Sequence, residues 1–120
     1  MAADPPLIVK SASLKPSPTR RQGLQERRLL TFKNSPYQNL VLIEMEDGAE
    51  VELHRVETSE SMFVLQGAFE VIFPNESQTL EAGDLCYFPP KTSHGLRCTG
   101  GPGQFLIVFA PSRYAMEAGE

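Results

Sequence analysis

From residue 39 onward, the sequence consists of short apolar segments separated by turn sequences. Within them the side chains follow a period of two, so that Val51 and Leu53 alternate with Glu52 and His54. The separators are residues that favour tight turns, namely Asp-Gly at 47–48, Pro-Asn-Glu-Ser at 74–77 and Pro-Pro at 89–90. About nine strands spaced in this way predict an all-β protein, either an antiparallel sandwich or a barrel.

Length and composition favour one soluble domain. A chain of 120 residues with 41% apolar residues can bury one hydrophobic core. No apolar run approaches the roughly 20 residues needed to cross a membrane, and prolines interrupt the only apolar patch near the start. The two cysteines, Cys86 and Cys98, are too few for a disulfide framework and favour reduced, buried thiols. We therefore expect a cytoplasmic protein with no membrane partner.

Charge divides the chain into a basic start and an acidic remainder. Residues 1–33 carry a net charge of +5, whereas the rest carries −9. A basic arm could bind nucleic acid, serve as an organelle address, or lie across its own barrel or that of a partner. The positive charges are scattered among prolines without an aromatic residue for base stacking, so we favour docking and expect no nucleic acid. We divide the chain into an N-terminal arm (1–27), a barrel (28–112) and a flexible tail (113–120).

Two further assignments near the start remain open. Residues 6–9 are compatible with a short edge strand. Residues 22–30 fit two helical turns, but residues 29–32 fit a strand equally well.

The candidate chemistry rests on the only two histidines of the chain, His54 and His94, together with Glu60. His54 lies on one predicted strand, and Glu60 and His94 each open a later one, so a barrel could bring the three together. Two imidazoles and a carboxylate suit Fe(II), and Mn, Zn, Ni or Cu also accept such ligands. The alternative for each residue alone is a structural histidine or a solvated glutamate.

The spacing around these residues resembles the first of two motifs of the cupin superfamily. That motif is Gly, five residues, His-x-His, three or four residues, Glu, six residues and Gly. This chain matches it with Gly48, His54, Glu60 and Gly67, but Val56 stands at the position of the second histidine.

The second motif is Gly, five residues, Pro-x-Gly, two residues, His, three residues and Asn. Here Gly83, Pro89 and His94 match, whereas Lys91 replaces the glycine and Cys98 the asparagine. The resemblance covers roughly residues 38–110.

The resemblance implies a jelly-roll barrel, also called a double-stranded β-helix, which is commonly a homodimer. It also implies a divalent transition metal (Fe, Mn, Zn or Ni) held by His54, Glu60 and His94. The activity it suggests is dioxygenation or isomerisation of a small organic acid or sugar-like molecule. Because Val56 cannot bind a metal, the alternative is a non-catalytic ligand-binding or structural cupin that has lost its metal. Residues an even number of positions apart in a strand share a face, so Glu52, Val56 and Cys98 are candidate pocket-lining residues beside His54 and His94.

Overall fold

The computed structural model describes residues 5–112, so the predicted tail at 113–120 lies outside the described residues. Ten strands follow a single 3-10 turn at Ser11–Ser13, and no α-helix occurs in the described part of the chain. The strands are β1 (Ser17–Pro18), β2 (Leu24–Leu30), β3 (Asn39–Met45), β4 (Glu50–His54), β5 (Ser59–Gln66), β6 (Ala68–Ile72), β7 (Ser77–Glu81), β8 (Leu85–Phe88), β9 (His94–Cys98) and β10 (Gly103–Ala110).

These strands form two antiparallel sheets. One has six strands in the order β1-β2-β3-β10-β5-β8, and the other has four in the order β4-β9-β6-β7. Strands that follow one another in the chain often lie in different sheets, as β4 and β5 do, which is the arrangement of a jelly roll. The predicted all-β jelly-roll fold is confirmed.

The core lies between the two sheets because alternate side chains of each strand point inward. On β10, Phe105 and Phe109 are buried, and the ring of Phe105 meets that of Phe69 on β6 edge to face at 5.1 Å. Each such buried side chain contributes about 1.5–3 kcal/mol relative to an exposed one. The inner faces of the strands thus supply both the stability of the barrel and the walls of its interior.

A β-bulge in β4 decides which of its side chains enter the barrel. Val51 pairs with Leu96, but the next pair joins His54 to His94, so β4 has one more residue than β9 over this interval. The extra residue interrupts the alternation of inward and outward side chains. Val51 and His54, three residues apart, therefore both line the interior cavity. The bulge passes closely over Gly95, where an added Cβ would lie 2.9 Å from the carbonyl oxygen of Val51.

The N-terminal segment is docked on the barrel of the same chain. The 22–33 region forms strand β2, which begins at Leu24, four residues before the predicted start of the barrel at 28. The short β1 pairs with β2, and the Nε of Arg27 donates a hydrogen bond to the carbonyl oxygen of Leu14 at 3.0 Å. Residues 6–9 form no strand, and the side chains of Leu7 and Ile8 are exposed.

Two further surface properties bear on partners. Among the described residues there is no helix long and apolar enough to span a membrane. The outer face of β5 and β8, by contrast, exposes four large apolar side chains, those of Phe63, Leu65, Leu85 and Tyr87. Because β8 is an edge strand, this apolar face ends at the border of the six-stranded sheet.

Candidate metal centre

The three predicted ligands converge in the interior of the barrel. His54 ends β4 and His94 begins β9, and the two residues are direct cross-strand neighbours. Glu60 comes from β5 in the opposite sheet. One nitrogen from each histidine and one oxygen from the carboxylate all lie within 4.8 Å of one another. The structure therefore brings together the His54, Glu60 and His94 set that the sequence predicts.

Backbone carbonyls fix the tautomer of both histidines. The Nδ1 of His54 lies 2.9 Å from the carbonyl oxygen of Glu52, and the Nδ1 of His94 lies 2.9 Å from that of Thr92. Since a carbonyl oxygen only accepts, Nδ1 carries the hydrogen in each ring. In the neutral rings, Nε2 is then the atom with a free lone pair. Metal-binding histidines in proteins are held by this same kind of contact.

The carboxylate of Glu60 has an unusual environment. Its side chain is 2% exposed, and its Oε1 has no hydrogen-bond donor among the described residues. The Nε2 of His94 lies 3.4 Å from this oxygen and is itself an acceptor in the neutral ring. A buried carboxylate oxygen without a donor is costly. Two Nε2 lone pairs and one carboxylate oxygen thus face each other, and a cation would satisfy all three.

The pKa of His94 is affected in two opposing ways. Burial lowers it, but the contact with the Glu60 carboxylate and the attraction of that negative charge raise it, and the net change is upward. The Glu60 carboxylate therefore stabilises a positive charge at His94, in this case the charge of a bound proton.

The donor set fits a divalent transition metal. Two imidazole nitrogens and one carboxylate oxygen are ligands that Fe, Mn, Zn and Ni accept. Ligands about 2.1 Å from a common ion lie about 3.4 Å apart in a tetrahedral site. The donor atoms, which lie within 4.8 Å of one another, would therefore need to approach by up to about 1.4 Å.

Aromatic packing orients one of the ligands. The ring of Phe88 stacks on that of His94, with centroids 4.0 Å apart and planes inclined by 18°. Phe88 is buried and precedes the Pro89-Pro90 turn that leads to His94. Stacking on one face and the Nδ1 hydrogen bond at the edge leave the ring of His94 little rotational freedom.

The ligands line an interior cavity of about 110 Å³. Most of its walls are apolar, including Ile43, Val51, Met62, Leu96 and Ile107. Its remaining polar side chains come from the N-terminal segment, namely Thr19, Arg21 and Glu26. The site is thus a small, largely apolar space with the three ligands and a few polar groups on its border.

Sequence reasoning missed these N-terminal residues because it treated residues 1–27 as an arm outside the barrel. Glu26 could have been found, since it follows the apolar Leu24 by two residues and so lies on the same face of a strand. No sequence signal pointed to Arg21.

The three additional pocket candidates lie elsewhere. Glu52 is exposed, because the bulge in β4 turns it outward, and ion pairing with Arg21 is the main reason that its pKa falls to about 2. Val56 follows the end of β4, and its side chain packs in the core. Its backbone carbonyl oxygen accepts a hydrogen bond from the amide of Lys91 at 2.8 Å.

Cys98 is the third of these candidates. It is four residues from His94 along β9, about 13 Å away in an extended strand. Its Sγ donates to the carbonyl oxygen of Gly101 at 3.1 Å. None of Glu52, Val56 and Cys98 lines the cavity that contains the three ligands.

The comparisons with known proteins agree with this architecture. A family model described as "Cupin domain" matches residues 41–109. A comparison with curated protein sequences finds no significant match.

Among solved structures, the chain resembles KdgF from Halomonas sp., with 24% identity, a TM-score of 0.83, and coverage of 93% of this chain and 99% of that one. It also resembles an RmlC-like cupin from Shewanella frigidimarina NCIMB 400, with 25% identity, a TM-score of 0.78, and coverage of 89% and 92%. Ectoine synthase from P. lautus is similar at 18% identity, a TM-score of 0.81, and coverage of 93% and 83%. These structures have different functions, so the likeness establishes the fold and not the reaction. With its family match, its jelly-roll topology and its barrel interior, this chain belongs to the cupin family.

Proposed function

We propose that this protein binds one divalent transition metal through His54, Glu60 and His94 and acts on a small organic acid. The observation that supports it most directly is the buried Oε1 of Glu60, which has no donor among residues 5–112 and faces the Nε2 atoms of two histidines. An ordinary structural histidine pair would provide a hydrogen-bond donor for such an oxygen. Here both Nδ1 hydrogens are used by the backbone.

The size of the cavity favours a small substrate. Its volume of about 110 Å³ is well below the roughly 300–1,000 Å³ of pockets that bind drug-sized ligands. This suits an organic acid of a few carbon atoms better than a sugar ring. We therefore favour the organic acid among the two substrate classes that the resemblance suggests.

The residues of this chain would hold and enclose the reacting groups. A bound divalent metal would supply Lewis acidity or oxygen activation, which fits isomerisation or dioxygenation. Phe88 holds the His94 ring in place, and Val51, Leu96 and Ile107 form apolar walls around the site. Beside such walls, electrostatic interactions are stronger than in open water.

The alternative is a non-catalytic cupin that binds a small ligand without metal. One observation favours it, namely that Val56 occupies the position of a ligand and is buried in the hydrophobic core. Three protein ligands with open positions are nonetheless sufficient for a catalytic metal site. The two proposals differ in metal content, which can be measured.

The test is metal analysis of protein purified from a metal-replete medium, comparing the native chain with Glu60→Gln and His94→Ala. We expect close to one equivalent of metal in the native protein. A metal titration of each variant should show an affinity at least tenfold lower. Glu50→Gln is the matched control, because Glu50 is an exposed glutamate of β4 that does not line the cavity. A native protein with far less than one equivalent, and variants that do not differ from it, would favour the non-catalytic alternative.

We also propose that two copies associate. The support is the exposed apolar face formed by Phe63, Leu65, Leu85 and Tyr87, which a second copy would remove from water. Sedimentation of the full chain over a range of concentrations tests this proposal. A chain that stays monomeric at high concentration would contradict it.

A further inference from the structure

Arg21 is the only Lys or Arg side chain among the described residues that line the cavity. We propose that Arg21 binds the carboxylate of the substrate and thereby selects a small monocarboxylate for the metal site. This inference rests on the proposed function and adds to it the residue that recognises the charge.

The guanidinium of Arg21 already adopts the geometry that a carboxylate requires. Its Nε donates to Oε2 of Glu52 at 3.2 Å and its Nη2 to Oε1 of Glu52 at 2.9 Å. Two parallel hydrogen bonds of this kind are the preferred way in which arginine binds a carboxylate. The Glu52 carboxylate occupies the place that another carboxylate could share or take.

Exposure differs sharply between the two partners. The side chain of Arg21 is 16% exposed, whereas that of Glu52 is 59% exposed. Glu52 thus approaches the guanidinium from the solvent side, while Arg21 borders the cavity. Water replaces the partner of an exposed carboxylate at a lower cost than that of a buried one, so a carboxylate bound inside can compete with Glu52 for Arg21.

Arg21 also retains donors beyond those that Glu52 uses. Among the described residues, its Nη1 makes no hydrogen bond, and a guanidinium has five N–H groups in total. A carboxylate in the cavity can therefore be bound without complete loss of the Glu52 contact. The negative charge of Glu52 nevertheless weakens the attraction of Arg21 for any anion.

The backbone that carries Arg21 is held in place. The Oγ1 of Thr19 accepts a hydrogen bond from the amide of Arg21 at 3.1 Å and lies 3.0 Å from the carbonyl oxygen of Leu24, to which it donates. The hydroxyl thus connects Arg21 to the start of β2. Such a fixed backbone presents the guanidinium to the cavity at a low entropic cost on binding.

The other charged side chain from this segment is already neutralised. Glu26 lines the cavity, but its Oε1 accepts a hydrogen bond from the Nε of Arg28 at 2.9 Å. Its charge therefore opposes a bound carboxylate less than an isolated glutamate would. Arg21 remains as the cationic group on the border of the cavity that is able to attract one.

A structural role for the same ion pair makes a different prediction. If Arg21 and Glu52 only fasten the N-terminal segment to β4, replacing either residue removes the same contact and has the same effect. If Arg21 binds a carboxylate, the two replacements have opposite effects on anion affinity, because Glu52→Gln removes a competing negative charge. Arg20 provides a matched control, since its Nη2 is 3.6 Å from the same Glu52 oxygen but it does not line the cavity.

The experiment measures the affinity of lactate, and of its neutral analogue lactamide, for the metal-loaded full chain by calorimetric titration. For Arg21→Gln we expect lactate to bind at least tenfold more weakly, with lactamide unchanged, because a charge-assisted double hydrogen bond is lost. Arg21→Lys should lie in between, since it retains the charge without the fork. Arg20→Gln should stay within twofold of the native chain, and Glu52→Gln should bind lactate at least twofold more tightly.

Each result decides a separate question. A native chain without metal would overturn the proposed function of the site. A metal-loaded chain that does not bind lactate, or one in which Arg21→Gln and Arg20→Gln behave alike, would overturn only the role of Arg21. The same holds if Glu52→Gln weakens lactate binding as much as Arg21→Gln does. Arg21→Lys keeps the test valid if Arg21→Gln fails to fold.

Discussion

Replacing Glu60 by glutamine should stabilise the metal-free protein. The substitution removes a buried negative charge whose Oε1 has no donor in the described part of the chain, and a buried unsatisfied group costs about 1–3 kcal/mol. The new amide can also donate a hydrogen bond to the Nε2 of His94, which lies 3.4 Å from Oε1 in the native chain. At roughly 4 °C per kcal/mol for a domain of this size, we expect the Tm to rise by about 4–12 °C.

Excess metal should reverse this order. An ion that binds only the folded state at 1,000 times its Kd stabilises that state by about 4.1 kcal/mol, which is roughly 16 °C here. The native chain has the carboxylate needed for this gain, whereas Glu60→Gln offers a neutral amide, a much weaker ligand. The variant should therefore be the more stable protein in chelator and the less stable one with metal.

The assay is thermal unfolding followed by circular dichroism, with a chelator and with excess Zn²⁺ or Mn²⁺. It is best done at alkaline pH, where the His94 ring loses its proton, because burial lowers the pKa of His94 but the contact with Glu60 raises it by more. Glu50→Gln, whose native side chain is 67% exposed, should differ from the native chain by less than about 0.5 kcal/mol in both conditions. If Glu60→Gln is destabilised in chelator, or if metal stabilises it as much as the native chain, our interpretation of this site is wrong.

Three further predictions concern the barrel itself. Lys91 has a φ of 65°, in the left-handed region that favours glycine. Lys91→Gly should therefore leave the free energy of unfolding in urea unchanged or raise it by up to about 1 kcal/mol. A clear decrease in that free energy would contradict this prediction. Gly103→Ala should lower the same free energy by about 1–3 kcal/mol, because the added Cβ would overlap the ring of Phe69; a neutral effect would mean that the core adjusts freely. Burial raises the pKa of the thiols of Cys86 and Cys98, and the negative charge of Glu60 raises that of Cys86 further. Iodoacetamide near pH 8 should therefore label both thiols more slowly in the folded than in the unfolded chain. Equal labelling rates in the two states would refute the last prediction.

The sequence predicts the barrel well because its information is local. Alternation along the strands and turn residues between them indicate an all-β fold, and the two spaced motifs single out His54, Glu60 and His94. Ligands that open or close strands are fixed by the fold, so their convergence follows once the topology is known. The resemblance to cupins supplies that topology.

What the sequence does not reveal depends on irregular geometry and on distant contacts. The parity argument placed Glu52 on the same face as His54, but the bulge between Val51 and His54 adds one residue and turns Glu52 outward. A bulge of this kind has no distinct pattern of apolar residues. Arg21 was missed for another reason, because its place beside the cavity results from docking of an irregular segment, which periodicity does not describe.

The pairing of His54 with His94 also bears on how quickly an ion would leave. β4 lies at the edge of the four-stranded sheet and is joined within that sheet only to β9, so its end can fray without opening the rest of the barrel. An ion bound by both rings would act as a cross-link between the two strands at this end. Release would then require β4 to open, and the dissociation rate should follow the amide hydrogen exchange of β4 more closely than the strength of any single metal–ligand bond.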